Sequence, residues 1–346
     1  MFKLDSIFMK QLLFFTVFLF ASYSSCLFAQ NISTSKFYEV ISLSKAIVPD
    51  SVLVGGGSAS SIRNNGDFIY VDNSTYQVFH FSESGAFIKS FGREGRGPGD
   101  FLYVNDIEVI GNELYVLDYK NARFQLFDID TGSFIRSIRL DFQPQINSEF
   151  FVHKDKIYLL GSISDNQKFI HVLDMEGYYQ YSFGEFIDFS KFFMTPNGII
   201  QLTQLHAAKD KDYIIYTLGA PYRIYAYDSS DSLKWEFEDL VIPKPWIDHI
   251  KVTPDSYSAK FYPTSFSSEI IGNYLLVYWI NPETKNAYLD LRNKNNGVLI
   301  QRAEWDFENA IIEMKTFPEI NRIRFLTKNR STADIFIQEL SIKNIN

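Results

Sequence analysis

Gly92, Gly95, Gly97 and Gly99 lie within one short stretch with Arg93 and Arg96 between them, a combination that could do phosphate chemistry. Glycines free backbone N–H groups to converge on an anion, and guanidinium groups add charged donors. A P-loop, however, needs Gly-Lys-Ser/Thr opening a helix, whereas Asp100-Phe101 leads here toward a strand. The segment therefore reads as a crossover loop, with Gly95, Gly97, Pro98 and Gly99 shaping its tight turns. Asp118, Asn121 and Arg123 then read as hydrogen-bonding groups that tie down the next connection. Arg93 and Arg96 remain candidates to touch a ligand.

Asn105, Asp106 and Glu108 offer oxygen donors of the type a divalent cation takes, near the start of a strand. One cluster on one strand is not a coordination shell. His80, His153, His171, His206 and His249 are scattered, with no His-Glu-x-x-His and no Gly-x-Ser-x-Gly. His80 and His171 fall at comparable places in two repeats, which suggests a slot facing a neighbouring sheet. No cofactor is implied, and an enzymatic reading is the weaker one.

The elements that must position these residues are short strands. Val, Ile, Phe and Tyr recur in runs bounded by Gly, Asn, Asp and Ser, without a long stretch of 3.6-residue periodicity. Asp67-Phe-Ile-Tyr-Val-Asp72 is echoed by Glu113-Leu-Tyr-Val-Leu-Asp118, and Tyr76-Gln-Val-Phe-His-Phe81 by Phe124-Gln-Leu-Phe-Asp-Ile129. The cadence returns at Lys156–Leu160 with Phe169–Asp174, and at Tyr274–Ile280 with Ala287–Leu291. It returns again at Arg322–Leu326 with Asp334–Ile342, and it blurs at Gly198–Leu202, Tyr222–Asp228 and Leu233–Phe237. Six units of about four strands predict an all-β, six-bladed β-propeller. The last unit lacks a fourth strand and Phe37–Leu43 has no unit of its own, so the N-terminal strand is expected to complete the last blade and close the ring. The 33 Phe, 21 Tyr and 4 Trp of the 346 residues then serve mostly as filler between sheets.

Upstream, Lys10 precedes an uncharged run, Leu12–Ala21, too short to cross a bilayer but suited to a secretory signal. Residues 1–29 are read as that signal, with Met9 as a possible true start and residues 30–346 as one propeller domain. Cleavage after Ala29 releases a soluble protein; lipidation at Cys26, the single cysteine, anchors it instead. The net charge of −8 argues against nucleic acid as a partner. No transmembrane span is expected in the mature form, and a monomer is.

Phe91-Gly-Arg-Glu-Gly-Arg-Gly-Pro-Gly-Asp-Phe101, followed by Leu114–Asp118, Asn121-Ala-Arg123 and Phe127-Asp128, resembles an NHL-type propeller repeat. With the export signal, the chain is similar to the TolB-like six-bladed propellers abundant among exported proteins of the Bacteroidota. The resemblance implies a fold and an exported location, periplasmic or secreted, more than an activity. Propeller ligands usually meet the loops, and the long connection Val241–Phe266 carries four prolines with Trp246, His249, Tyr257 and Tyr262 as candidate contacts. The expected function is non-enzymatic binding of an envelope protein, peptide or glycan. The alternative, which members of such folds suggest, is a metal-dependent hydrolase or lactonase with its ion in the channel.

Overall fold

Runs of β-branched and aromatic residues fit the pleat of a sheet, and the Gly, Asn and Asp between them accept the reversals. A computed structural model of the chain describes residues 36–343 apart from 50–53, 55–56, 145–147, 162–167, 186–204, 220–221, 239–250, 254–255, 259–264, 282–283, 285, 306–309, 330–331 and 333. After β1 (Tyr38–Lys45), blade 1 holds β2 (Gly57–Ile62), β3 (Phe68–Asp72), β4 (Gln77–Phe81) and β5 (Phe87–Phe91). Blade 2 holds β6 (Val104–Ile110), β7 (Glu113–Asp118), β8 (Arg123–Asp128) and β9 (Phe134–Arg139). Blade 3 holds β10 (Glu149–His153), β11 (Lys156–Leu160), β12 (Lys168–Leu173) and β13 (Tyr179–Glu185). Blade 4 holds β14 (Leu205–Lys209), β15 (Tyr213–Gly219), β16 (Tyr222–Asp228) and β17 (Leu233–Glu238). A two-stranded hairpin, β18 (Lys251–Thr253) and β19 (Ser256–Ser258), precedes blade 5, which holds β20 (Ser265–Ile271), β21 (Tyr274–Ile280), β22 (Ala287–Asn293) and β23 (Leu299–Trp305). Blade 6 holds β24 (Ala310–Phe317), β25 (Arg322–Lys328) and β26 (Ile335–Ile342). Each blade is an antiparallel meander, and successive first strands neighbour one another around an axis, β24 returning to β2.

Both faces of the second strand in each blade are covered by neighbouring blades, which explains its near-continuous apolar run. Side chains alternate between those faces. In β7, Leu114 and Val116 join the cluster shared with blade 1, and Tyr115 and Leu117 join the cluster shared with blade 3. In β21, Leu275 and Val277 pack toward blade 4, while Leu276 and Tyr278 pack toward blade 6. Aromatic rings fill these gaps: Phe68 stacks on Phe81 with centroids 4.8 Å apart, and Tyr216 on Tyr225 at 5.0 Å. That places most of the aromatic surplus between sheets.

β1 pairs antiparallel with β26 and becomes the fourth strand of blade 6, so the ring closes as the sequence predicts. The chain then crosses to blade 1, where the Ile47 N–H donates to the Gly85 carbonyl at 2.7 Å. Gly85 has φ +84°, and a Cβ there would lie 2.7 Å from Ile337 Cδ1 and 3.1 Å from the Ala46 Cα. This seam therefore needs glycine both for its turn and for its close packing.

The fourth unit differs from the sequence reading. Its first two strands are β14 and β15, whereas Gly198–Leu202 lies outside the described residues. The run Tyr213-Ile-Ile-Tyr-Thr-Leu-Gly219 is a second strand like the others, with Thr217 breaking the apolar series that marks its counterparts.

Candidate functional site

A cavity of about 470 Å³ runs along the axis, lined by all six first strands. It reaches Arg63, Asn64 and Asn65 in the β2–β3 turn and Gly111 in the β6–β7 turn. Those turns lie at the end of the first strands opposite to the glycine-rich crossover, which feeds the start of β6. Asn105 and Glu149, near the starts of their strands, line it at the crossover end, so the cavity spans the first strands from one end of the ring to the other.

Its polar side chains come from one repeated place in the blades. Opposite the second-strand residues Val71, Leu117, Leu160, Thr217, Tyr278 and Leu326 stand Ala59, Asp106, Glu149, His206, Ser267 and Glu313. In a pleated pair, directly opposed residues share a face, so these six point toward the next blade. In every blade but the first, the residue is polar, and all five take part in contacts between blades. Asp106 Oδ2 accepts the Phe150 N–H at 2.8 Å, joining blades 2 and 3. His206 bridges blades 3, 4 and 5, with Nδ1 3.3 Å from Glu149 Oε2 and Nε2 2.9 Å from Ser267 Oγ. The Ser60 hydroxyl lies 3.5 Å from Glu313 Oε2, joining blades 6 and 1. Two residues further along β6, Glu108 accepts the Val152 N–H at 2.5 Å and pairs with the Lys209 ammonium, which also donates to the Val152 carbonyl at 2.7 Å. Thr316 donates to the Ile270 carbonyl at 2.8 Å and stands 3.2 Å from Glu269 Oε2, joining blades 5 and 6.

Enclosing so many acids raises their affinity for protons. Burial pushes the Asp106 carboxyl well above its ordinary range, helped by the nearby charge of Glu149. Burial likewise raises Glu269, and it holds Glu313 at about 8, with Glu269 adding to the rise and His206 opposing it. For His206, burial alone would disfavour the charged ring; the hydrogen bond and charge of Glu149, with Glu313 and Glu269 behind it, override this and raise the imidazole to about 9.

The glycine-rich crossover is closed on itself. The Gly95 N–H donates to the Phe101 carbonyl at 3.0 Å, the Gly97 N–H to Asp100 Oδ2 at 3.2 Å and the Gly99 N–H to Gln125 Oε1 at 2.9 Å, which leaves these N–H groups committed to the loop rather than to an anion. Arg123 donates to the carbonyls of Arg96, Gly97 and Asp100 and to Asp118 Oδ2, and Asn121 donates to the Gly95 carbonyl and to Asp118. Pro98 is exposed on the loop. Arg93 is 80% exposed and pairs with Asp100 at 2.7 Å; Arg96 is exposed.

Asn105, Asp106 and Glu108 all line the axial cavity. Asp106 accepts two backbone N–H groups, from Ile107 and Phe150, and Glu108 is held by Val152 and Lys209. Among the described residues, no three His, Cys, Asp or Glu side chains come together to hold a metal ion. Asp106 and Glu108 are thus already engaged by the scaffold. His80 and His171 are buried, the latter with its ring nitrogens 2.7 Å from Ser182 Oγ and 2.8 Å from the Gly161 carbonyl. Cys26, Trp246, His249 and Tyr262 lie outside the described residues; Tyr257 stands in β19, paired with Val252. Glu149, Lys209, Glu269 and Glu313 escaped the sequence reading, and His206 entered it only as one of five scattered histidines. For Glu149, His206 and Glu313 the signal was a polar residue at one place in successive repeats, visible only once the strand register is known.

Six meanders around a polar axial cavity define an all-β propeller. The chain belongs to the family DUF5128, described as a 6-bladed beta-propeller, whose model matches residues 25–322. Among solved structures it is similar to a Bacteroides fragilis protein described as exported, with 13% identity, TM-score 0.59 and coverage of 91% of this chain and 98% of that one. It is also similar to a member of the duf4221 family from Bacteroides vulgatus, with 10% identity, TM-score 0.61 and coverage of 89% and 99%. At such identities the likeness is one of fold. A 69-residue segment is 36% identical to mouse peptidyl-glycine alpha-amidating monooxygenase; it spans 18% of this chain and 7% of that curated relative. Among the described residues no helix is long and apolar enough to cross a membrane.

Proposed function

We propose that the protein is an exported, non-enzymatic binding module of the cell envelope that takes a protein, peptide or glycan ligand at the axial cavity. The observation that carries this reading is the cavity itself, whose lining mixes acids, Lys209, Lys315, Arg63 and asparagines without a metal-holding group among the described residues. Ammonium, guanidinium or hydroxyl donors of a peptide or glycan suit such a lining. The exported Bacteroides neighbour supports the location, with release after Ala29 or anchoring at Cys26 as the two routes.

Peptide and glycan libraries screened with wild type, Glu269→Gln and Arg93→Ala test the reading. A ligand whose affinity falls roughly tenfold or more in Glu269→Gln and is unchanged in Arg93→Ala is expected, since a hydrogen bond to a charged group contributes on the order of 2 kcal/mol. A ligand lost in Arg93→Ala alone moves the site to the glycine-rich crossover. No binding in any library removes the proposal.

The alternative, a divalent-metal-dependent hydrolase, draws on one observation: Asp106, Glu149, Glu269 and Glu313 bring carboxyls from four blades to one cavity. Stoichiometric Ca²⁺ in purified protein, together with turnover of a lactone or phosphoester, would favour it.

A further inference from the structure

The axial cavity encloses more carboxyls than cations can balance. Glu108 is matched by Lys209, and Arg63 turns to Asp67 and Asp130, at 3.6 and 3.4 Å. This leaves Asp106 from β6, Glu149 from β10, Glu269 from β20 and Glu313 from β24 facing two cationic partners, His206 of β14 and Lys315 of β24. Like charges confined together cannot all ionise, so such a cluster retains protons that isolated carboxyls would release.

His206 is where this cluster meets the scaffold, because its two ring nitrogens contact blades 3 and 5 at once. As imidazolium it donates to both Glu149 and Ser267. As neutral imidazole it keeps one ring hydrogen, so the other contact survives only if the Ser267 hydroxyl becomes the donor, and both lose charge assistance. The carboxylates around it are then left with Lys315 and repel one another.

We propose that the cluster is a proton-operated latch: while it holds its protons, His206 clasps blades 3, 4 and 5 at the axis, and when they leave, the inner strands there loosen. The latch does not depend on the identity of any ligand. The direction follows from linkage. The His206 ring and the Glu313 carboxyl both bind protons more tightly in the folded chain than ordinarily, so their contribution to the clasp is lost as pH rises. The loss runs from the ordinary value of each group to its folded one, from 4.5 to about 8 for Glu313 and from 6.5 to about 9 for His206.

Hydrogen exchange of the full chain, followed by mass spectrometry across pH, tests this when protection of β14 and β20 is read relative to β4 and β8 in the same sample. Relative protection is expected to fall roughly tenfold or more between about pH 7 and 9.5, a change equivalent to one pKa unit of differential proton binding. Glu313→Gln removes a negative charge that helps hold the proton on His206 and is expected to move the midpoint to lower pH; His206→Gln removes the cation that opposes carboxyl protonation and is expected to move the remaining carboxyl titration to higher pH. A purely structural role would not shift the two variants in opposite directions. Should His206→Gln fail to fold, Glu313→Gln and the titration of the ¹³C-labelled His206 ring decide. A midpoint unchanged in Glu313→Gln, or a ring that titrates in or below the ordinary histidine range, overturns the latch.

Discussion

The glycine-rich crossover and the axial ring are both networks of polar side chains that cross between strands, and they differ in where their hydrogen bonds end. In the crossover the reaches end within the loop and the strands beside it: one guanidinium, Arg123, satisfies three carbonyls and a fully buried Asp118. In the ring the reaches run from blade to blade and leave acids facing a cavity. A closed network holds a chain in place; an open one keeps polar capacity for something else, at the cost of raised proton affinity.

Removing Arg123 breaks the closed network most severely. Arg123→Ala leaves Asp118 with a buried charge and is expected to lower unfolding free energy by about 3 kcal/mol, read as a reduced urea midpoint, with ligand binding at the axis unchanged in the folded fraction. Arg123→Lys is expected to recover little, since an ammonium cannot span the same carbonyls. Next in size is Gly92→Ala. With φ +95° and a new Cβ placed 2.4 Å from the Phe101 ring, it is expected to cost about 2 kcal/mol by the same measurement.

The ring answers to pH instead. Because folding raises the Glu313 carboxyl from its ordinary 4.5 to about 8, its contribution to stability is fully present below pH 4.5 and lost as pH rises through 8. Glu313→Gln is expected to flatten the decline of thermal stability between those values, by about 1 kcal/mol at pH 8 given contact with cavity water. Equal slopes in wild type and variant would erase the contrast between the two networks. Arg93→Ala should do least: its exposed pair with Asp100 is expected to contribute under about 0.5 kcal/mol to the urea midpoint.

How far the sequence could be read follows from the same contrast. Asp118, Asn121 and Arg123 sit close together along the chain beside a run of glycines, so their crossover is visible as a local motif. Glu149 and His206 are 57 residues apart, and Ser60 and Glu313 are 253 apart. Nothing local marks them as partners. Blade 4 blurred for a related reason: Thr217 interrupts an apolar second strand, yet it is buried opposite His206, where a polar neighbour suits the ring.

Period, turn residues and the unpaired strands at the two ends of the repeat series determined the architecture, because strand burial imposes alternation and free edges demand pairing. β1 on β26 is a consequence the residues already contained. What only the tertiary structure decided is the axial site. Polar residues from blades 2 to 6 carry it, and their meeting depends on register and on closure of the ring, properties of the assembled blades that no single stretch of chain encodes.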